Sequence, residues 1–298
     1  MTGRRFGFAG LGQMGGPMAT NIAAHLSTRN ATLSVYDQAG TAARAPDKTT
    51  VAGSLEELAQ GADTVFLSLP DGPVSVAVAG ELAAMKDPAV SVVIDLSTIG
   101  LEAAKEAART LAGAGITYID APVSGGQTGA KAGTITVMWA GPADVLESHR
   151  DVIKSMCKNL FHVGGKAGQG QAAKLLNNFL SATAMAATSE AVAFGLSHGL
   201  DMKTLLDVVN ASTGRNTATA DKFPNRILTG TYDAGFKTRL LTKDVGLFLD
   251  SAKAAGTPVA VAETVAQLWR RADKALPDSD FTRIYEFISR QGSQEEGA

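Results

Sequence analysis

Cysteine, histidine and charge are all in short supply in this sequence, and each shortage removes a class of chemistry. The one cysteine, Cys157, has no second thiol with which to form an internal disulfide, which fits a reducing compartment such as the cytoplasm. The four histidines, His25, His149, His162 and His198, stand far apart, and no Cys/His cluster has metal-ligand spacing, so no metal site is expected. Each histidine is read as a surface or internally satisfied residue. Lys and Arg number 27 and Asp and Glu 29, dispersed to a net charge of −2, which leaves no basic patch for nucleic acid or an anionic membrane surface. Unbroken hydrophobic runs are also missing. Five glycines between Gly7 and Gly16 interrupt the apolar stretch after Arg4 and Arg5, unlike the core of a cleavable export signal. The apolar run from Leu175 onward carries Asn177, Asn178, Ser181, Thr183 and Glu190, so no transmembrane helix is expected.

What remains is a chain of 298 residues, 45% hydrophobic and rich in glycine, long enough for about two domains. From residue 4 to about 163, short β-rich runs alternate with Ala-rich helical stretches: RFGFAG, TLSVYD, TVFLSLP, SVVIDLS, ITYIDAP, TITVMWAG and NLFHVG. Near-continuous apolar strands with helices between them predict an α/β domain, a parallel sheet covered on both faces, over residues 1–163. After Gly170 the strand signal stops. Residues 164–298 are expected to be all helical, opening with a long helix at about 170–198. Breaks are expected near Gly199 and Gly214, across FPNRILTGTYDAGF, and at GTP (256–258) and LPDSD (276–280). The last residues, QGSQEEGA, read as a disordered tail.

The first chemical signal is FGFAGLGQMGGPMATNIAAHL, in which Gly10, Gly12 and Gly15 form G-x-G-x-x-G between a strand and a helix. Such a turn, with Leu11, Gln13 and Met14 between the glycines, binds the pyrophosphate of a dinucleotide: Gly10 permits the tight turn, Gly12 the close approach of phosphate, Gly15 the packing of helix on strand. The helix N-terminus then offers unpaired N–H groups and a positive dipole. Asp37 ends the next strand 22 residues after Gly15, where a carboxylate accepts from a free ribose 2′-OH and repels a 2′-phosphate. NAD is therefore preferred as cofactor, with NADP second because Arg44 could reach back from a following helix.

In an open α/β sheet ligands sit beyond the carboxyl ends of the strands, which directs attention to LPDG (69–72), DLSTIG (95–100) and DAPVSGGQTGAKAGT (120–134). Ser124, Gly125 and Gly126 suit a nest of backbone N–H groups for a carboxylate, or else form a flexible turn. Further on, GQGQAAKLLNN places Lys174 and Asn178 four residues apart, on one helix face, in a segment with no other charge until Glu190.

FAGLGQMGGPMATNI, DLST, DAPVSGGQTGAKAGT, GQGQAAKLLNN and TKDVGLFLDSA, taken together over residues 4–288, resemble the β-hydroxyacid dehydrogenase family, which includes 3-hydroxyisobutyrate dehydrogenase, tartronate semialdehyde reductase and relatives of 6-phosphogluconate dehydrogenase. The resemblance implies a Rossmann domain joined by a long helix to an all-α domain, in dimers or tetramers. It implies cofactor contacts at the glycine turn, at Leu69 and Pro70, at Thr98 and at Lys243, and a substrate carboxylate at Ser124, Gly125 and Gly126. The family's catalytic lysine matches Lys174 and its substrate-holding asparagine Asn178; Asp244 lies beside the site. The region around Gly214 and Arg215 is more similar to 3-hydroxyisobutyrate dehydrogenases than to glyoxylate or succinic semialdehyde reductases, although NTATADKFP departs from their continuation. Arg215 either contacts substrate or caps a loop, and Phe236 either lines the pocket or packs.

The chemistry of the residues agrees with this assignment. Oxidising a hydroxy acid requires a proton to leave the hydroxyl, and a lysine desolvated on an apolar helix, facing a cleft between two domains, can be tuned toward neutrality and take it. Two other readings stay open: an imine reductase, whose relatives usually carry another residue at the lysine position, and a non-catalytic dinucleotide-binding module.

Overall fold

A computed structural model describes residues 5–294, which fall into two compact units meeting in sequence at Lys174 and Leu175. The expected boundary, after residue 163, lies eleven positions earlier.

The first unit opens with β1 (Phe6–Ala9), α1 (Gly15–Ser27), β2 (Leu33–Tyr36), β3 (Thr49–Val51), α2 (Leu55–Gly61), β4 (Thr64–Leu67), α3 (Gly72–Ala84), β5 (Val92–Asp95), α4 (Leu101–Gly113) and β6 (Thr117–Asp120). It continues through β7 (Val123–Ser124), α5 (Gly126–Ala132), β8 (Ile135–Ala140), α6 (Ala143–Lys154) and β9 (Cys157–Gly164). The sheet order is β3-β2-β1-β4-β5-β6-β8-β7, with β9 on β8. From β3 to β6 every pairing is parallel, as the continuous apolar runs imply. The expected parallel sheet is thus present, and past β6 it becomes mixed, because β8 runs antiparallel to β6 and β7. Fourteen residues separate β6 from β8, and they include β7 and the seven-residue α5, so the chain returns beside β7 and pairs with it antiparallel, Val123 opposite Val137 and Ser124 opposite Thr136. β3 and β7 carry too few apolar residues to show as strands in the sequence.

Side chains alternate across the sheet into two cores. Phe8, Phe66 and Ile94 pack with Met18 and Ile22 of α1 and Leu146 and Val152 of α6. Val65, Leu67 and Val93 pack with Leu58, Leu82 and Leu111 of α2, α3 and α4. Burial of each such side chain stabilises by about 1.5–3 kcal/mol, enough to fix which strand ends face the same rim.

The long helix, α7, runs Gln169–Ser197, close to the expected 170–198. One 18-residue window of it has a mean hydropathy of 1.3, so by length and composition it is apolar enough to cross a membrane, contrary to the sequence expectation. Two of its hydroxyls are folded back on the helix, Thr183 Oγ1 donating to Phe179 O and Ser189 Oγ to Met185 O. The same composition suits a helix built into a core, and Ala182, Met185 and Val192 are buried in that of the second unit.

That unit continues with α8 (Met202–Asn210), a π-helical segment Ala218–Ile227, α9 (Thr238–Ala254), α10 (Ala260–Ala275), a single 3₁₀ turn Phe281–Arg283 and α11 (Ile284–Gln294). Phe223, Trp269, Phe281 and Ile284 centre its core, and Trp269 Nε1 donates to Ala182 O at 3.2 Å. The break expected from Phe223 begins only after Ile227. Pro224 brings no N–H, and Thr219 O, its would-be acceptor in an i→i+5 ladder, accepts from Asn210 Nδ2 at 2.9 Å, so the segment passes through the proline. Of the expected disordered tail, Gln291–Gln294 extend α11, and residues 295–298 lie outside the described residues.

Candidate active site

Three glycines set the first turn of the rim. Gly10 has φ +94°, and a Cβ there would stand 2.2 Å from Ser68 O; one on Gly15 would stand 1.8 Å from Gly10 O. Both positions therefore admit glycine alone. Around Gly12, by contrast, an added Cβ would meet nothing within 4 Å. That exposed backbone, at the head of α1 and with no side chain capping Met14, leaves room for a pyrophosphate against the helix N-terminus. Asp37, at the end of β2, accepts from Leu11 N–H at 2.7 Å and from Ala39 N–H at 2.8 Å. Each carboxylate oxygen keeps a further lone pair for a ribose hydroxyl, so the residues fit a dinucleotide. Arg44 reaches to 3.9 Å from Asp37, but from a turn rather than the expected helix.

The neighbouring strand ends are tied to one another. Leu69 N–H, in the Leu69–Pro70 turn after β4, donates to Ser97 Oγ at 2.7 Å, which joins that turn to the end of β5 beside half-buried Thr98. Gly125 (φ +133°) and Gly126 (φ +62°) follow Ser124 at the head of α5. The loop is brought to the glycine turn by Gln127, whose Nε2 donates to Gln13 Oε1 at 3.0 Å, and by Asn21 Nδ2 donating to Ala130 O at 2.8 Å.

Beneath α7 lies a group of buried residues to which the sequence reading gave no role. Asp120 Oδ2 accepts from the N–H groups of Gly168 (2.8 Å) and Gln171 (3.0 Å), and Asp120 Oδ1 from Gln171 Nε2 (2.7 Å). Gln171 Nε2 also donates to Ser97 O, and its Oε1 accepts from Ile99 and Gly100 N–H. Asp95, opposite Asp120 in the β5–β6 register, accepts from Ser97 N–H and Tyr118 O–H. Burial pushes the Asp120 carboxyl up to about 6, with hydrogen bonds from Gln171 and Gly168 opposing, and burial likewise raises Asp95. The available signal was the aspartate that closes each of two successive apolar strands, in VVID and TYID, an unusual place for a charge.

Lys174 follows on the same helix, one turn beyond Gln171, and is 8% exposed. In the second unit Asn178 is buried and its Nδ2 donates to Asp244 Oδ2 at 2.6 Å, while Lys243 Nζ lies 3.5 Å from Asp244 Oδ1. The structure thus brings Asn178, Lys243 and Asp244 together. Phe236 is half-buried and packs edge-on against Phe281, with ring centroids 6.2 Å apart. Arg215 is exposed, in the turn before the π-helical segment. Cys157, its thiol pushed up to about 11 by burial, is no nucleophile at neutral pH. Among the described residues no group of His, Cys, Asp and Glu is arranged to hold a metal.

The fold and rim define a dinucleotide-dependent oxidoreductase, and comparison with known proteins narrows the class. Residues 5–164 match the NAD-binding domain of 6-phosphogluconate dehydrogenase, and residues 168–288 the NAD-binding region of NADP-dependent 3-hydroxyisobutyrate dehydrogenase. The chain is 37% identical to 3-hydroxyisobutyrate dehydrogenase of Pseudomonas aeruginosa, over 93% of this chain and 96% of that protein. It is 34% identical to 2-(hydroxymethyl)glutarate dehydrogenase of Eubacterium barkeri, over 89% and 88% respectively. A solved structure of Mycobacterium tuberculosis 3-hydroxyisobutyrate dehydrogenase with L-serine superposes with a TM-score of 0.86 at 30% identity, covering 96% of this chain and 99% of that one. The chain belongs to the β-hydroxyacid dehydrogenase family. It is an NAD-binding oxidoreductase that acts on the CH–OH group of a small hydroxy acid.

Proposed function

We propose that this enzyme interconverts 3-hydroxyisobutyrate and its semialdehyde, with NAD as the preferred cofactor and Lys174 as the proton carrier. The observation that carries the reading is the place of Lys174: buried, near the start of α7, and the sole charged side chain between Gln169 and Ser189. Bound NAD supplies the acceptor for the hydride lost by the carbinol carbon. The neutral amine of Lys174 takes the hydroxyl proton during oxidation, and its ammonium form returns a proton to the developing alkoxide during reduction. Ser124 Oγ and the N–H groups of Gly125 and Gly126 hold the substrate carboxylate. Asn178, its amide turned by Asp244, holds the substrate hydroxyl; Phe236 and Arg215 complete the substrate side.

On the cofactor side the roles fall to Gly10, Leu11, Gly12, Gln13, Met14, Gly15, Asp37, Leu69, Pro70, Thr98 and Lys243. Asp37 supports NAD, and Arg44 beside it keeps NADP as the second cofactor to test. A cytoplasmic homodimer or homotetramer is proposed, with light scattering after gel filtration as the check on assembly.

The substrate choice is supported by the 37% identical relative and by the L-serine complex of a related enzyme, since both names point to small carboxylates with a β-hydroxyl. A screen of 2- and 3-hydroxy acids at 340 nm, with NAD and with NADP, tests it. The highest kcat/KM is expected for 3-hydroxyisobutyrate with NAD; a higher value for L-serine or 2-hydroxymethylglutarate transfers the assignment to that acid. Lys174→Ala is expected to abolish turnover while NAD still binds, and full activity in that variant removes the proposed mechanism.

A further inference from the structure

The geometry points to Asp120 and Gln171 as positioning residues for the proton-transfer step: together they lock the first turn of α7, and so Lys174, to the strand-end loop 96–100. The inference rests on the proposed role of Lys174 and concerns what holds that lysine in place. A helix leaves its first N–H groups without intrahelical partners, and a side chain just before the helix normally accepts from them. Here the acceptor is Asp120, 48 residues before Gly168 and at the end of β6. Gly170 makes the approach close, because a Cβ there would stand 2.6 Å from Asp120 O.

Gln171 gives the contact a direction. Its Oε1 is held by the N–H groups of Ile99 and Gly100, so its Nε2 must face Ser97 O and Asp120 Oδ1. Turning the amide over would set NH₂ against two backbone donors. Position 120 must therefore present oxygens alone: toward the helix N-terminus it meets two N–H groups, and toward Gln171 a third donor. A carboxyl group meets all three donors with its two oxygens, whereas an amide at position 120 would turn an NH₂ toward one of them. Three residues after Gln171, Lys174 shares its helix face, so loss of this lock changes the address of the amine.

Three variants test the idea with 3-hydroxyisobutyrate and L-serine as substrates: Asp120→Asn, Gln171→Glu and the double variant. Asp120→Asn sets an NH₂ against the Gln171 amide, and Gln171→Glu sets a carboxylate against Asp120 and Ser97 O. Each is expected to lower kcat by about tenfold or more, the scale of one unsatisfied buried group, with substrate KM changed by less than about threefold. In the double variant the NH₂ introduced at position 120 again faces an acceptor, and kcat is expected to recover several-fold above the product of the single effects. A loss of bulk stability alone would not give that recovery. Additive losses, or singles with wild-type kcat while Lys174→Ala is inactive, overturn the lock and leave the proposed function standing. Wild-type kcat in Lys174→Ala overturns both. Should the singles fail to fold, hydrogen exchange in the wild-type holoenzyme decides: the Gly168 and Gln171 amides are expected to be protected to the level of the β6 amides, and exchange at unfolded-peptide rates sinks the proposal.

Discussion

Removing the charge of Asp120 should change stability, relative to the wild type, in the variant's favour as the pH rises. Its carboxyl titrates near 6 in the folded chain against about 3.9 when unfolded, two units at about 1.36 kcal/mol each, or about 3 kcal/mol. Below the unfolded value both states hold the proton and the group has no effect. Between about 4 and 6 the folded state holds a proton that the unfolded chain has lost, so stability declines as pH rises, and above 6 the whole cost of about 3 kcal/mol is present. Asp120→Asn has no such titration. Its own cost, a buried donor facing the Gln171 amide, is about 1–3 kcal/mol and does not change with pH. The difference between the two proteins should therefore move in the variant's favour by about 2 kcal/mol between pH 4.5 and 7.5. Urea unfolding followed by the fluorescence of the buried Trp139 and Trp269 measures it. Parallel stability curves across that range would refute the reasoning, because they would mean that the carboxylate is no less comfortable in the fold than in water.

The glycine turn gives a paired prediction: Gly12→Ala, into open space, should leave Tm unchanged and raise the Kd for NAD by about tenfold or more, whereas Gly15→Ala, 1.8 Å from Gly10 O, should lower Tm as well. Calorimetry of both variants with and without NAD separates the two effects. Phe223→Ala, in the core of the second unit and stacked edge-on with Tyr285 at 5.5 Å, should cost about 3–5 kcal/mol in urea unfolding. A loss under 1 kcal/mol, read by that same titration, would contradict its central place there. Asn210→Ala removes the side chain that supplies the donor Pro224 lacks, and should destabilise by about 1 kcal/mol, with exchange of the 218–227 amides accelerated first.

How much of this was legible in the sequence follows from where the information lies. β-rich runs marked seven strands, most plainly where both faces are apolar as in Val92–Leu96, and helical periodicity marked α7 to within a residue at either end because Gly168 and Gly199 bracket it. Thr49–Val51 and Val123–Ser124 escaped because two or three residues are too few to show a period. The direction of β8 goes with its pairing to β7, a strand of two residues, and the passage through Pro224 depends on Asn210, fourteen residues away, whose side chain makes the bond the proline cannot make. At the site, Gly10, Asp37, Lys174 and Asn178 could be named because their spacing is local. Asp120 and Gln171 could not be paired, since 51 residues separate them and each looks ordinary on its own: one a strand-end aspartate, the other a glutamine among small residues.

The distant cap on α7 also carries an expectation for the order in which the chain folds. Residues 165–168 offer no Ser, Thr, Asp or Asn to accept from the first N–H groups of the helix, and the local side-chain contact there, Gln169 Oε1 accepting from Lys166 N–H at 2.9 Å, leaves the Gly168 and Gln171 amides to a distant acceptor. The acceptor for the Gly168 and Gln171 amides is in place only where β6 is paired with β5, so the order expected is sheet first and helix start second. In a pulse-labelling experiment during refolding, the amides of Val93 and Ile119 should gain protection before that of Gln171, so the lysine becomes positioned late, after the sheet beneath it is complete.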